Sequence, residues 1–172
     1  MKKIVIIGPE STGKSTLCTQ LSEHYKTVWC PEFAREYLLE KGTHYTYDDL
    51  QKIAAGQLAL EDELLKAAEN NLYFIDTNMY VMKVWCELVF NNCETSILKQ
   101  IATRKYDMYL LCDVDLPWVQ DGLREYPELE MRQHIFKIYK DLLINNHTKW
   151  AIISGDVNER FNTATTIVDT II

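Results

Sequence analysis

The sequence contains no basic run, no cysteine pair with metal-ligand spacing and no apolar stretch long enough to cross a membrane. Its 172 residues include 18 Lys plus Arg against 25 Asp plus Glu, a formal net charge of -7, which disfavours binding to a nucleic-acid backbone. Five cysteines without a CxxC pair predict buried thiols in a reducing compartment. The apolar run from Ile4 to Ile7 is too short for a signal peptide. We therefore expect a cytoplasmic protein with no nucleic-acid or membrane partner.

Repeats, low-complexity tracts and linkers are also absent, so we expect one domain over residues 1–172. Short apolar runs predict strands at 2–7, 27–31, 72–75, 108–112 and 150–154. Helical patterns lie between them, at 14–25, 32–41, 77–90, 95–104, 131–145 and from 158 onward, with a long helix from a capping box at Thr46 and Asp49 to about 70. This alternation predicts an α/β fold in three layers, a five-stranded parallel sheet with helices on both faces.

A phosphate-binding loop joins the first predicted strand to the first helix. Residues 8–16, Gly-Pro-Glu-Ser-Thr-Gly-Lys-Ser-Thr, satisfy the P-loop pattern G-x-x-x-x-G-K-[ST]. In this motif main-chain N–H groups wrap the β-phosphate, Lys14 reaches the β- and γ-phosphates, and the Ser15 hydroxyl binds Mg²⁺. We expect a P-loop kinase fold that binds ATP and Mg²⁺ through Gly8, Glu10, Ser11, Thr12, Gly13, Lys14, Ser15 and Thr16.

A carboxylate follows the third strand, where P-loop proteins hold the magnesium. Asp76 ends the run Leu-Tyr-Phe-Ile-Asp and is predicted to order the water shell of the metal, to N-cap the next helix, or to do both. The following residue is Thr77, whereas hydrolytic ATPases commonly place a second acid there, and no N-K-x-D guanine-reading motif occurs. The sequence therefore favours ATP as the nucleotide and an acceptor other than water.

Charged residues after the second strand are candidates for the acceptor site, because open α/β sheets bind ligands at this edge. Glu32 could accept the proton of an acceptor hydroxyl, and Arg35 could hold substrate or phosphate. A solvated ion pair between these two residues is the alternative. Asp76 is a second candidate for the base and for acceptor contact, and the sequence does not decide between the two carboxylates.

The polar segment at about 115–132 is predicted to form a lid that carries two catalytic arginines, Arg124 and Arg132. Arginines closing over the transferring phosphoryl group stabilise its charge. The alternative is a solvated loop in which they pair with Glu125, Glu128 or Glu130.

Together these segments resemble the ribosylnicotinamide kinase domain of the NadR-type proteins, an AAA-like P-loop family. The resemblance rests on Gly-Pro-Glu-Ser-Thr-Gly-Lys-Ser at 8–15, Glu-Phe-Ala-Arg-Glu at 32–36, Phe-Ile-Asp-Thr at 74–77 and Trp-Val-Gln-Asp-Gly-Leu-Arg at 118–124. It implies transfer of the γ-phosphate of ATP to the 5′-hydroxyl of nicotinamide riboside, giving nicotinamide mononucleotide for NAD synthesis.

The chain departs from the family pattern at two points. Pro31 stands where the family carries an aromatic residue that stacks on the pyridine ring. The [HT]-x-G-H signature of the adenylyltransferase domain is absent, so we expect a stand-alone kinase that does not adenylate its product. A kinase for another nucleoside or small alcohol, and a non-catalytic ATP-binding regulatory module, are the alternative functions.

Overall fold

Five parallel strands form one sheet in the order β2-β3-β1-β4-β5 in the structure, a computed structural model that describes residues 1–172. The strands are β1 (Lys2–Ile7), β2 (Trp29–Cys30), β3 (Leu72–Asp76), β4 (Met108–Cys112) and β5 (Trp150–Ile153). The helices are α1 (Lys14–Tyr25), α2 (Phe33–Lys41), α3 (Tyr47–Leu64), α4 (Met79–Phe90), α5 (Thr95–Thr103), α6 (Leu129–Asn145) and α7 (Val157–Asp169). The predicted α/β fold with its five-stranded parallel sheet is confirmed.

The central strand β1 is buried on both faces, which explains its unbroken apolar sequence. Ile4 and Ile6 pack with α1 and α7 on one face, and Val5 and Ile7 pack with α4 and α6 on the other. Ile4 lies opposite Phe74 of β3 and Met108 of β4, so the register places three buried strands side by side. Helices α2 to α5 enclose a separate apolar cluster beside the sheet.

Several predicted boundaries differ from the structure. Strand β2 is two residues long and α3 ends at Leu64, where a short 3-10 turn follows. Helix α4 begins at Met79 because Thr77 has a φ of 75° and Asn78 is the N-cap, its Oδ1 accepting from Tyr80 N. Helix α6 begins at Leu129, two residues before the predicted start at 131, so the end of the predicted lid, with Arg132, lies inside this helix. The predicted capping box of Thr46 and Asp49 is confirmed.

The carboxyl ends of β1, β2, β3 and β4 meet at one edge of the sheet, and the loops that follow them carry the candidate functional residues. This edge is therefore where a ligand is expected. None of the helices combines the length and the apolar character that a membrane crossing requires.

Candidate functional site

The P-loop turns sharply between β1 and α1 because its glycines adopt backbone angles that side chains disfavour. Gly13, the N-cap of α1, has a φ of 77°. Gly8 has a φ of 152°, and a Cβ at this position would lie 2.7 Å from the carbonyl oxygen of Cys112. The loop thus packs directly against the end of β4, which leaves no room for a side chain at Gly8.

The amide groups of the loop are available to a ligand. No side chain caps α1, and the main-chain N–H groups of residues 11–16 donate to no other group in the protein. The loop's own shape is held by Thr12, which is buried and donates to the Pro9 carbonyl at 2.7 Å. Lys14 Nζ donates to the same carbonyl at 2.9 Å. Free amides at a helix N-terminus with an ammonium group beside them form an anion-binding site.

Ser15 and Asp76 meet beside this loop. The Ser15 hydroxyl donates to Asp76 Oδ2 at 2.5 Å, and the Asp76 side chain is fully buried. Burial raises the pKa of Asp76, while the Lys14 ammonium and the Ser15 hydrogen bond oppose that rise. The predicted alternative, Asp76 as the N-cap of α4, is wrong, because Asn78 performs that role. A hydroxyl and a carboxylate are hard oxygen ligands that suit Mg²⁺.

A cavity of about 430 Å³ extends from the P-loop toward α2 and α4. Its charged wall contains Lys14, Glu32, Arg35, Asp121 and Arg124, and its apolar wall contains the Trp29, Val81, Val84, Trp85 and Leu88 side chains. All P-loop residues from Gly8 to Thr16 line it, whereas Asp76 lies behind Ser15 and does not. The cavity therefore joins a phosphate site to an apolar chamber.

Glu32 faces this cavity at the start of α2 without capping its own helix. Gln57 of α3 takes over the capping role: its buried side chain accepts from Phe33 N at 2.7 Å and donates to the Pro31 carbonyl at 3.2 Å. Burial, and then the negative charge of Asp76, raise the pKa of Glu32 to about 7. Gln57 thus fixes the backbone on both sides of Glu32. The sequence analysis did not identify this role, although a polar residue on the apolar face of α3 could have indicated it.

Arg35 does not pair with Glu32, the predicted alternative, but with Asp121, at 3.0 Å. Hydrogen bonding from the Leu123 amide and then from Arg35 lowers the pKa of Asp121. Arg35 is therefore linked to the stretch between β4 and α6 rather than to its own helix.

Residues 113–128, between β4 and α6, contain no helix or strand and lie against the P-loop. Glu10 Oε2 accepts hydrogen bonds from the main-chain amides of Glu125 and Tyr126, at 2.9 and 3.1 Å. Arg124 donates to the Val119 carbonyl and lies 3.5 Å from Asp121. None of the predicted ion pairs with Glu125, Glu128 or Glu130 forms.

Arg132, predicted to act with Arg124, lies over the same Trp118 ring as Arg124 but does not line the same cavity. It lines a second, shallower cavity with residues 113–118, outside the cavity that contains Lys14 and Arg124. Its guanidinium is buried, 5.3 Å from the centre of the Trp118 ring, and its Nε and Nη1 atoms have no hydrogen-bond partner. The structure does not bring Arg132 to the phosphate loop, and its catalytic role stays a prediction.

Arg160 of α7 supports the P-loop from behind and was not identified from the sequence. It is buried and donates to the carbonyl oxygens of Thr12 at 3.0 Å and Asp113 at 3.1 Å, and it also pairs with Asp115. These contacts join the loop to the end of β4. Its acceptors are mostly main-chain carbonyls, which leave no signal in the sequence.

A family model described as AAA domain matches residues 3–160 of the chain. The trifunctional NAD biosynthesis/regulator proteins NadR of Escherichia coli K12 and Salmonella typhimurium LT2 are each 28% identical to it over 166 residues. Those residues make up 94% of this chain and 40% of each relative, so the chain spans less than half the length of these curated relatives. The predicted resemblance to NadR-type proteins is confirmed.

Solved structures show the same fold. A NadR protein crystallised in complex with NR superimposes with a TM-score of 0.81 at 22% identity, over 98% of this chain and 50% of that chain. Thymidylate kinase from Candida albicans gives a TM-score of 0.69 at 16% identity, over 98% of this chain and 91% of that chain. A deoxyadenosine kinase from M. mycoides with bound dATP gives 0.62 at 15% identity, over 98% of this chain and all of that chain.

Proposed function

The chain belongs to the AAA domain family, and from that premise we propose that it is a kinase that uses ATP to phosphorylate the 5′-hydroxyl of nicotinamide riboside. The observation that carries the proposal is the single cavity in which the P-loop and Glu32 face each other beside an apolar chamber. A kinase needs both a triphosphate site and an acceptor site within reach of it.

The donor site is assigned to the P-loop. The free amides of residues 11–16 and the Lys14 ammonium would bind the β- and γ-phosphates. Ser15 and Asp76 would hold Mg²⁺, which supplies charge neutralisation to the phosphates. Asp76 is assigned to the metal rather than to the acceptor, because it does not reach the cavity surface.

Glu32 is assigned as the base. With a pKa of about 7, its carboxylate can take a proton from the acceptor hydroxyl near neutral pH. As the acceptor oxygen bonds to the γ-phosphorus, the bond from that phosphorus to the β–γ bridging oxygen breaks, and ADP leaves with the electron pair. The proton stays on Glu32 until solvent removes it, so the step balances.

Arg124 is assigned to the transferring phosphoryl group. It lies in residues 113–128, which would act as the lid of a single kinase domain. It lines the cavity beside Ser11 of the P-loop. An arginine in such a position stabilises charge on the equatorial oxygens during transfer.

The residues at the end of the cavity away from the P-loop support nicotinamide riboside as the acceptor. Trp29 and Trp85 offer flat apolar faces for a ring. The carboxylates of Glu32 and Glu125 also line the cavity, Glu125 beside Tyr45 and Trp85, and favour a positively charged ring. The names of the similar proteins, which mention NAD biosynthesis and NR, point to the same acceptor.

The test is a direct assay of purified protein with ATP, Mg²⁺ and nicotinamide riboside, following nicotinamide mononucleotide and ADP by chromatography. Equal amounts of the two products are expected. ATP turnover with another acceptor and none with nicotinamide riboside would reject the proposed acceptor while keeping the kinase.

A kinase for another nucleoside is the second candidate, because Pro31 offers no aromatic ring at the cavity wall and the fold also matches thymidylate and deoxyadenosine kinases. A thermal-shift panel of nucleosides separates the two candidates, since a true acceptor stabilises the folded protein by mass action.

A further inference from the structure

We propose that the side chains of Glu10 and Ser11 are positioning residues that hold residues 119–126 against the P-loop and thereby place Arg124 at the phosphate site. The predicted effect on rate rests on the proposed kinase function, whereas the predicted effect on residues 119–126 does not.

The first contact joins the Glu10 carboxylate to the C-terminal part of this stretch. One oxygen, Oε2, accepts from two consecutive main-chain amides, Glu125 N at 2.9 Å and Tyr126 N at 3.1 Å. Two amides converging on one carboxylate oxygen fix the path of the chain directly after Arg124. Main-chain donors also make the contact independent of the side chains at positions 125 and 126.

The second contact joins the Ser11 hydroxyl to the N-terminal part. Ser11 Oγ accepts from Val119 N at 2.9 Å and lies 3.4 Å from Nη1 of Arg124. The same guanidinium donates to the carbonyl oxygen of Val119. Ser11 and Glu10 therefore hold the chain on both sides of Arg124.

Electrostatics explain why a carboxylate is found in a loop built for anions. A free carboxylate beside bound phosphates would repel them. Burial raises the pKa of Glu10, while its hydrogen bonds from Tyr126 and Glu125 oppose that rise and favour the charged form. The lid amides thus compensate a charge that would otherwise weaken nucleotide binding.

Amide hydrogen exchange measured by NMR on the full chain tests the contacts without any acceptor. Glu10→Ala is expected to speed exchange at Glu125 and Tyr126 by about 10-fold or more, because both amides lose their acceptor. Ser11→Ala is expected to speed exchange at Val119. Glu63→Ala, an exposed glutamate on α3 without an ion pair, is the matched control and should leave all three amides unchanged. Unchanged exchange in the Glu10→Ala and Ser11→Ala variants would overturn the proposal.

Kinetics then test whether the contacts act through Arg124. Glu10→Ala should lower kcat by about 10-fold with a Kd for Mg·ATP within about 2-fold, and Glu10→Gln, which keeps an acceptor oxygen, should restore most of the rate. In an Arg124→Ala background the Glu10→Ala change should cost nothing further. The same loss in both backgrounds would overturn the positioning role. If no acceptor is phosphorylated, the proposed function fails but the exchange result still decides the contacts.

Discussion

The two ends of the cavity are built in different ways. At the donor end, nine consecutive residues form the P-loop, and buried side chains hold its shape, Thr12 from within the loop and Asp76 and Arg160 from behind it. At the acceptor end, side chains come from several separate stretches, around β2, on α2 and α4, and at residues 121–126. The donor end is therefore fixed by local sequence and the core, and the acceptor end by packing between distant segments.

This difference indicates different roles for the two ends of the cavity. The donor end meets a triphosphate that is the same for many kinases, and a rigid arrangement of amides suits it. The acceptor end determines which hydroxyl is phosphorylated, and side-chain substitutions there change the cavity without disturbing the sheet. Mutations at the donor end should abolish the reaction, and those at the acceptor end should alter rate, pH dependence or acceptor affinity.

The largest loss of activity is expected from two changes at the donor end, Lys14→Ala in the P-loop and Asp76→Ala at the proposed metal site. Each should lower turnover more than about 10³-fold, because charge on the transferring phosphate would lose a fixed partner. ADP formation by the purified protein measures this. Lys99→Ala, an exposed lysine without an ion pair, is the matched control and should keep full activity. A Lys14→Ala protein with near-normal turnover would remove the donor end from the mechanism.

The next largest loss of activity is expected from Arg124→Ala, because Arg124 lies in the lid, between the donor end and the acceptor end of the cavity. We expect kcat to fall about 10²- to 10³-fold with little change in the KM for ATP, because the guanidinium acts on charge that develops during transfer. Initial rates over a range of ATP concentrations measure both quantities. An unchanged kcat with a raised KM would instead make Arg124 a binding residue and the lid assignment wrong.

At the acceptor end, Glu32 should make the reaction dependent on pH. Its pKa of about 7 means that the base is deprotonated only above that pH, so kcat/KM should fall about tenfold per unit below it and level off above it. Glu32→Gln should be slow at every pH. Glu36→Gln, an exposed glutamate one turn later, should keep the wild-type profile and is the matched control. A wild-type profile that is flat between pH 5 and 7 would contradict the assignment.

The same residue allows a test of folding that needs no acceptor. Because the pKa of Glu32 is raised in the folded state from an ordinary value of 4.5 to about 7, its protonated form favours folding. The stabilising contribution is present below pH 4.5 and is lost as the pH rises through 7. Glu32→Gln should therefore raise the melting temperature relative to wild type above pH 7 and lose that advantage below pH 4.5. No relative change with pH would show that partial burial and the charge of Asp76 do not raise the pKa of Glu32.

The sequence predicted the donor end in detail because the residues of a P-loop are contiguous in the chain. Gly8, Lys14 and Ser15 have a fixed spacing between a strand and a helix. It also placed Glu32 at the correct edge of the sheet. It did not predict that Gln57 caps α2, or that Glu10 binds lid amides, because both contacts join residues that are distant in sequence. Arg124 and Arg132 both lie over the Trp118 ring, but only Arg124 lines the cavity that contains the P-loop; this difference depends on how α6 packs, which the sequence does not reveal.

The smallest effect is expected at Trp85, on the apolar wall of the acceptor end. Its Nε1 donates to the Tyr45 hydroxyl at 2.8 Å, and that hydroxyl donates to Glu125 at 3.0 Å, so the ring is held at a fixed angle in the cavity. If the acceptor ring stacks on it, Trp85→Leu should raise the acceptor KM roughly 3- to 10-fold and leave the Kd for Mg·ATP unchanged. Trp85→Phe, which keeps an aromatic face but removes the Tyr45 hydrogen bond, should have the smaller effect. Equal KM values for the Leu and Phe variants would show that the wall contributes apolar area without stacking, and the acceptor would then be selected by its hydroxyl and charge alone.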